Sequence, residues 1–234
     1  MREKALEYLE RDSILHMAMI APLKKGSAEI IYADGDGVFM KEMNSGVYMI
    51  SLDDFDKAKV LLDKMDKPTH ICVYQKDVAD HLYVKYSYKK YVENVQTAYM
   101  KREYVKISDN SLEIHPMRLL QLDLVYENYS DHLSYDYLKG RIECGELYSG
   151  MVNGELCGFV GIHADGSIGI MKVLEKFRGK GLATALEGSM INVMLDKGEI
   201  PFSQIEFDNG ASIGLHKKLG FEISERTLFR LIDL

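Results

Sequence analysis

Hydrophobic positions in the first hundred residues recur in blocks that predict alternating helices and strands. Residues 2–24 place apolar side chains at roughly helical spacing, and Gly26 can end that segment. Three short apolar segments follow at 29–33, 37–43 and 47–52, and the DGDG and NSG turns between them favour a three-stranded meander. The remaining predictions are a helix over 52–67, a strand over 69–75, a helix over 77–86 and a strand over 91–102.

The order of elements repeats from about residue 104, although no residue-level repeat is visible. We predict helices over 111–129, 134–144, 179–198 and 211–220, and strands over 147–153, 155–164, 167–173, 202–207 and 226–232. The helix over 179–198 carries an apolar face made of Leu182, Leu186, Met190, Val193 and Met194. Two halves with one element order predict two similar α/β domains, at 1–103 and 104–234.

Composition narrows the function classes. The chain has 234 residues, of which 47% are hydrophobic and 28% charged, and its formal net charge is −7. An acidic chain lacks the basic face that nucleic-acid binding needs, so we expect small-molecule partners and no nucleic acid. No apolar run is long enough for a membrane span, and the first residues lack the apolar core of a signal peptide, so we expect no membrane association and a cytoplasmic location. The three cysteines fit neither a disulfide framework nor a zinc site, and we expect no metal.

The stretch KVLEKFRGKGLATALEGSM places a basic, glycine-rich turn between a strand and a long helix. The first amides of a helix lack partners, so such a turn favours anions. Gly179 and Gly181 let the backbone approach a phosphate, and Arg178 and Lys180 add positive charge. The Walker pattern fails because Gly181 follows Lys180, and the dinucleotide fingerprint fails because Thr184 stands where glycine or alanine is needed.

What remains is R-x-x-G-x-A at Arg178, Gly181 and Ala183, and a second segment, NGASIGLHKKLGF, lies downstream. Together they resemble the GCN5-related N-acetyltransferase (GNAT) superfamily, whose acyl-CoA pyrophosphate site is written Q/R-x-x-G-x-G/A and whose later segment is N-x-x-[AS]-x-x-L-Y-x-x-x-GF. The resemblance covers roughly residues 104–234. It implies a GNAT fold there, with a mixed, mostly antiparallel sheet flanked by helices, and it is looser toward the two-half glycine N-acyltransferase-like branch.

The resemblance implies acetyl-CoA, or another acyl-CoA, as co-substrate. It also implies that the backbone of Met171 and Val173 pairs with the pantetheine arm. The implied coenzyme-binding residues are Met171, Val173, Arg178, Gly179, Lys180, Gly181, Leu182, Ala183, Thr184, Asn209 and Ser212. The alternative is structural, since the two glycines of the turn can simply shape a tight connection and Arg178 can be a solvated surface charge.

The first half offers a contrast at the corresponding place. Its helix begins with Asp53, Asp54 and Asp56, whose carboxylates stabilise a helix N-terminus by about 0.3–1 kcal/mol each and repel a pyrophosphate. We therefore expect the first half to be a degenerate acetyltransferase-like domain that does not bind CoA there, and to serve as a structural partner or one wall of the acceptor site.

The chemistry of acyl transfer needs a proton for the leaving thiolate, and the family usually places Tyr where this chain has His216. An imidazole with a pKa near 6.5 can deliver that proton, but His216 also stands in the last turn of a helix, where any cation is favourable. No general base is singled out, because Glu206, Asp208 and His163 are each more often a turn, cap or surface residue. Ordered water, or a substrate amine of low pKa, is the alternative.

The expected function is transfer of an acetyl or other acyl group to a small primary amine or amino acid by direct attack. Two alternatives stay open: a non-catalytic acyl-CoA-binding or sensor module, and a protein acetyltransferase. The tyrosine-rich stretch at 83–96 can line an acceptor pocket, although aromatic residues at such spacing are more often core or interface. The oligomeric state is open as well, a homodimer included.

Overall fold

The computed structural model describes residues 1–107, 112–129 and 133–233. The described residues form two compact units. The first contains residues 1–98, 204–214 and Glu222 onward, and the second contains 99–203 and 215–221.

Eight α-helices lie in the described residues, and none of those helices is long and apolar enough to cross a membrane. Short 3₁₀ turns lie at 10–12, 119–121 and 175–177. The helices are α1 (Arg2–Leu9), α2 (Met17–Lys25), α3 (Phe55–Leu62), α4 (Lys76–Tyr86), α5 (Leu122–Tyr129), α6 (Tyr135–Glu143), α7 (Leu182–Asp196) and α8 (Gly210–Leu219).

Eleven strands in the described residues form two sheets, in the orders β1-β2-β3-β4-β11-β5-β10 and β6-β7-β8-β9. The strands of the first half are β1 (Ala28–Asp34), β2 (Gly37–Glu42), β3 (Tyr48–Leu52), β4 (His70–Val73) and β5 (Lys90–Ala98). Those that follow are β6 (Leu112–Pro116), β7 (Leu147–Val152), β8 (Glu155–Ile162), β9 (Ile168–Val173), β10 (Phe202–Glu206) and β11 (Glu222–Ile232).

In the first unit the sheet is covered on both faces. Strands β1, β2 and β3 pair antiparallel, which confirms the predicted meander, and β3 pairs parallel with β4. Successive side chains of a strand point to opposite faces. Accordingly Val38 and Met40 pack in a core with α1 and α2, whereas Phe39 packs in a second core with α3 and α4. Both clusters are buried, so this sheet is the centre of a three-layer unit.

In the second unit the four strands β6 to β9 pair antiparallel. The same alternation divides its core, since Phe159 of β8 packs with residues of α5 and α6 while its neighbour Val160 packs with residues of α7. Helix α7 buries Leu182, Leu186, Met190 and Met194 of its predicted apolar face, and Val193 is partly buried. Helix α7 begins at Leu182, after β9, the 3₁₀ turn at 175–177 and the glycine-rich turn.

The last strand of the chain pairs with strands of the first half, which the prediction of two consecutive halves did not include. The predicted strand over 226–232 exists as part of β11, which pairs antiparallel with both β4 and β5. Residues from Glu222 onward therefore count with the first unit, together with 204–214. The division of the chain into domains at residue 103 stays a prediction.

The predicted helix over 111–129 was wrong for its first part; Ser111 itself lies outside the described residues. Residues Leu112–Pro116 form β6, a 3₁₀ turn follows at 119–121, and only Leu122–Tyr129 is helical. The physical reason lies in Pro116, because a proline disfavours the helical conformation of the residue before it. Leu112 and Ile114 also alternate with polar residues, which is the period of a strand.

Candidate active site

Strand β9, which leads into the basic turn, contains a bulge. Gly158 and Phe159 of β8 pair with Val173 and Lys172, but beyond them the register shifts, so that Ile170 and Met171 together stand opposite a single residue of β8. Ile170 has a φ of 51°. A β-branched residue in the left-handed region is strained, and such strain persists where the surroundings over-determine it. The bulge therefore interrupts the ladder at Met171, a residue expected to contact the pantetheine arm.

The turn after β9 is shaped by two glycines. Gly179 and Gly181 have φ angles of 75° and 79°, which L-residues with a Cβ rarely adopt. Between β9 and the turn, the Arg178 Nε donates to the Val173 carbonyl oxygen at 3.4 Å. Arg178 is exposed and Val173 half-buried, so this contact holds the arginine beside the end of the strand while its guanidinium faces solvent.

The first amides of α7 are available to a hydrogen-bond acceptor from outside the helix. Its N-cap is Gly181, which has no side chain to accept from the first-turn amides, and the first turn holds no acidic residue. The first bond along the helix runs from the Ala185 amide to the Gly181 carbonyl at 3.2 Å, so the amides of Leu182, Ala183 and Thr184 have no partner within the helix. The helix dipole adds about half a positive charge there.

Two lysines flank the turn through one aromatic ring. The Lys176 and Lys180 ammonium groups lie 5.0 and 5.4 Å from the centre of the Phe177 ring, which is itself buried. Lys176 also pairs with Glu155. Cation–π contacts of this kind stabilise by about 0.5–1 kcal/mol at exposed sites. Both lysines are thus held beside the turn by Phe177. Arg178 and Lys180 are also exposed, so their charged groups are accessible to an anion.

The corresponding helix of the first unit has the opposite character. Asp54 is the N-cap of α3, and its side chain accepts from the Lys57 amide at 3.0 Å, while Asp56 adds a second carboxylate in the first turn. Asp53 accepts from the Tyr8 hydroxyl. Carboxylates therefore occupy the position that α7 leaves open, which is consistent with the expectation that this helix does not take a pyrophosphate.

Asn209 and Ser212 belong to the first unit, whereas the turn from Arg178 to Thr184 belongs to the second. The Asn209 Oδ1 accepts from the Ser212 amide at 3.1 Å, so Asn209 caps the start of α8. This is the cap that its sequence position favours. Asn209 therefore stabilises the start of α8, and its coenzyme-binding role stays a prediction.

His216 lies inside the second unit and is 3% exposed. Its Nε2 is 2.8 Å from the Glu187 Oε1, and its ring centre is 4.2 Å from that of Phe221. Glu187 lies on α7, in the second turn after the open N-terminus. The sequence analysis missed this partner, although a carboxylate four residues after Ala183 and four before Ile191 stands on the helix's apolar side.

The three candidate bases are divided between the two units. Glu206 and Asp208 are exposed residues of the first unit, and His163 belongs to the second. His163 Nδ1 lies 3.1 Å from the Tyr137 hydroxyl. A Cβ on Gly169 of β9 would lie 2.3 Å from the His163 Nε2, so glycine is needed there for the imidazole to lie against the strand.

Comparisons with known proteins agree with this geometry. Residues 147–230 match the family model described as FR47-like protein, while no curated protein sequence matches significantly. Among solved structures, a Drosophila protein shares the fold with a TM-score of 0.65 and 15% identity over 84% of this chain and 74% of that one. A GCN5-related N-acetyltransferase from Kribbella flavida gives 0.61 at 10% identity, over 94% and 95%. A GCN5-related N-acetyltransferase-like protein from Streptococcus suis gives 0.57 at 15% identity, over 96% and 98%.

The chain has the GCN5-related N-acetyltransferase fold. The predicted fold class is thereby confirmed, and the FR47-like match over residues 147–230 supports the superfamily recognised from the sequence. The Streptococcus suis likeness covers 96% of this chain, so both units take part in it and not only the matched segment 147–230. The narrower glycine N-acyltransferase-like branch stays a prediction.

Proposed function

We propose that the chain is an N-acyltransferase that takes an acetyl or other acyl group from acyl-CoA and passes it to a small primary amine or amino acid. The observation that carries this proposal is the start of α7, where three amides have no helical partner and no carboxylate stands nearby in the first turn. A diphosphate matches that arrangement in charge and in hydrogen-bonding capacity.

The proposed coenzyme contacts follow the strand and the turn. Main-chain groups of Met171 and Val173 bind the pantetheine arm, and the side chains of Arg178 and Lys180 pair with phosphate oxygens. The amides of the turn and first helical residues bind the diphosphate, and Asn209 and Ser212 are the remaining coenzyme contacts that the resemblance implies. The full set is Met171, Val173, Arg178, Gly179, Lys180, Gly181, Leu182, Ala183, Thr184, Asn209 and Ser212. By this proposal, the first half of the chain is a degenerate acetyltransferase-like domain that does not bind CoA at the start of α3.

The proposed chemistry is direct transfer without a covalent enzyme intermediate. Bound acyl-CoA supplies a thioester, and the amine nitrogen of the acceptor forms the new bond to its carbonyl carbon while the carbon–sulfur bond breaks. Backbone donors at the β9 bulge orient and polarise the carbonyl oxygen. His216 is the proposed source of the proton that the thiolate takes up, and water accepts the proton that the amine loses.

A second candidate function is an acyl-CoA-binding module without turnover. The observation that favours it is the burial of His216, because a group that is 3% exposed and held by Glu187 needs a local rearrangement before it can reach a thiolate. The two candidates agree on binding and differ only in chemistry.

Calorimetry with CoA and the purified chain tests the binding part. Arg178→Glu is expected to weaken CoA binding by roughly 10- to 100-fold, the value of a charge-assisted hydrogen bond. Arg102→Glu makes the same charge change at another exposed arginine of the second unit and is the control. No heat with CoA, or equal effects of the two variants, would contradict the proposal.

Release of free thiol from acetyl-CoA over a panel of small amines and amino acids tests the chemistry. Turnover with at least one acceptor is expected from the transferase. Binding of CoA with no thiol release across the panel would identify the binding module instead. Acetylation of peptides alone would favour a protein acetyltransferase.

A further inference from the structure

The first unit contains a cavity of about 250 Å³ that the proposed acyl transfer does not use. No aliphatic side chain lines it; the lining is two arginines, two aspartates, a tyrosine and a histidine. These are Tyr8, Arg11, Asp12, His16, Asp53 and Arg226. Their formal charges cancel when the histidine is neutral. A cavity of this size and polarity favours a small polar ligand with no large net charge.

The protons at the buried end of the cavity are determined by its hydrogen bonds. The His16 Nδ1 lies 3.1 Å from the Leu9 carbonyl oxygen, which can only accept, so the proton of the neutral ring is on Nδ1. The Nε2 therefore accepts from the Ser51 hydroxyl at 2.9 Å. Burial lowers the pKa of His16, which keeps the ring neutral. The Ser51 proton is consequently committed to His16.

Tyr8 has its own proton committed in the same way. Its hydroxyl donates to the Asp53 Oδ1 at 2.8 Å, and burial is the main cause that raises the pKa of Tyr8 to about 12. The 3.3 Å contact between the Tyr8 and Ser51 oxygens then has no proton to share. The Tyr8 oxygen and the exposed Asp53 carboxylate are therefore hydrogen-bond acceptors on the cavity wall, and they favour a ligand that donates.

The two arginines of the lining present donors, and Asp12 pairs with one of them. The Arg11 Nη1 donates to the Gly35 carbonyl oxygen at 3.0 Å, and the guanidinium lies 5.2 Å above the Tyr8 ring. The Arg226 Nη2 lies 3.1 Å from the Asp12 Oδ2. These bonds use one nitrogen of each arginine, whereas a guanidinium carries five N–H groups in a geometry that matches a carboxylate.

We propose that this cavity binds a small molecule that carries one ammonium and one carboxylate group, in chemical class an α-amino acid. The ammonium lies at Tyr8 and Asp53, and the carboxylate lies at Arg11 and Arg226. This orientation follows from the wall itself, which holds two guanidinium groups for the carboxylate and the acceptors of Tyr8 and Asp53 for the ammonium. The inference does not depend on acyl transfer, because none of these residues belongs to the proposed coenzyme set.

The experiment is a thermal-shift screen of the full chain against the standard amino acids, followed by calorimetry on the best one. Propionate and propylamine, which carry one charge each, are the matched probes. At least one amino acid is expected to stabilise the chain and to bind at least tenfold more tightly than either single-charge probe. Arg226→Ala and Asp53→Asn are each expected to weaken that binding at least tenfold.

Two neighbouring variants serve as controls. Arg230→Ala lies on the same strand as Arg226 and contacts His70 instead of the cavity, and Asp56→Asn removes a first-turn carboxylate of α3. Both are expected to keep the affinity. The proposal is overturned if no amino acid binds, if a single-charge probe binds as well, or if the controls weaken binding as much as the cavity variants. Calorimetry with CoA on the same samples reports separately on the proposed acyl transfer.

Discussion

The imidazole of His216 and the carboxylate of Glu187 form a buried pair inside the second unit, with 2.8 Å between Nε2 and Oε1 and only 4% of each side chain exposed. The pair connects α8 with α7, the helix that precedes it in the chain. Removal of one member of a buried pair leaves the other with an unsatisfied polar group, and this is more damaging than removal of both.

We expect Glu187→Ala to lower the free energy of unfolding by about 3 kcal/mol, as measured by urea denaturation. The double variant Glu187→Leu/His216→Phe, which replaces the pair by apolar groups, is expected to recover most of that loss. A single variant as stable as the parent chain, or a double variant less stable than both singles, would show that the pair has no structural value.

The proton-donor role of His216 gives a separate prediction. His216→Phe keeps an aromatic ring against Phe221 but cannot donate a proton, so kcat for thiol release is expected to fall by about 100-fold. The dissociation constant for CoA is expected to stay unchanged, which distinguishes lost chemistry from lost folding. An unaltered kcat would remove His216 from the mechanism.

Two glycines of the second unit are expected to respond in opposite directions to alanine. Gly181 has a φ of 79°, and an L-residue there costs about 1–2 kcal/mol, so Gly181→Ala should lower stability and weaken CoA binding. Gly140 lies within α6, where a Cβ would meet nothing within 4 Å, so Gly140→Ala should raise stability by about 0.5–1 kcal/mol. Urea denaturation and calorimetry measure both; a gain from Gly181→Ala would contradict the left-handed cap.

Local features of the fold were predictable from the sequence, because turn chemistry and hydrophobic period act over short distances. The meander at β1–β3, the helix that begins at Leu182 and its C-terminal glycine, Gly198, are examples. The misassigned β6 shows that Pro116 carried a usable signal against a helix. The pattern of β11 predicted a strand, but a strand's own sequence does not state its partners, β4 and β5.

The candidate site was predictable where the chain is continuous. Arg178, Gly179 and Gly181 lie in one turn, and their sequence already indicated an anion site. The strain at Ile170 was not predictable, since isoleucine is among the residues least suited to a positive φ and only the surrounding packing holds it there. The contact of Glu187 with His216 joins residues that are far apart in the chain, so no local pattern reports it.

The last prediction concerns the pH dependence of stability in the first unit. Burial lowers the pKa of His16 below its ordinary value of 6.5 in the folded chain. Below pH 6.5 the unfolded chain therefore binds a proton that the folded chain does not, so stability falls as the pH falls from 6.5 toward the folded-state pKa. Above pH 6.5 both states hold a neutral imidazole, and His16 adds no pH dependence.

His16→Gln removes the titrating group, and the loss of stability between pH 7 and pH 5 is expected to be smaller in this variant by as much as about 2 kcal/mol. Urea denaturation at the two pH values measures it, with His115→Gln, an exposed histidine of β6, as the control. Equal pH dependence in the parent chain and His16→Gln would mean that His16 does not stay neutral in the fold, and the proton assignment at Ser51 would fail with it.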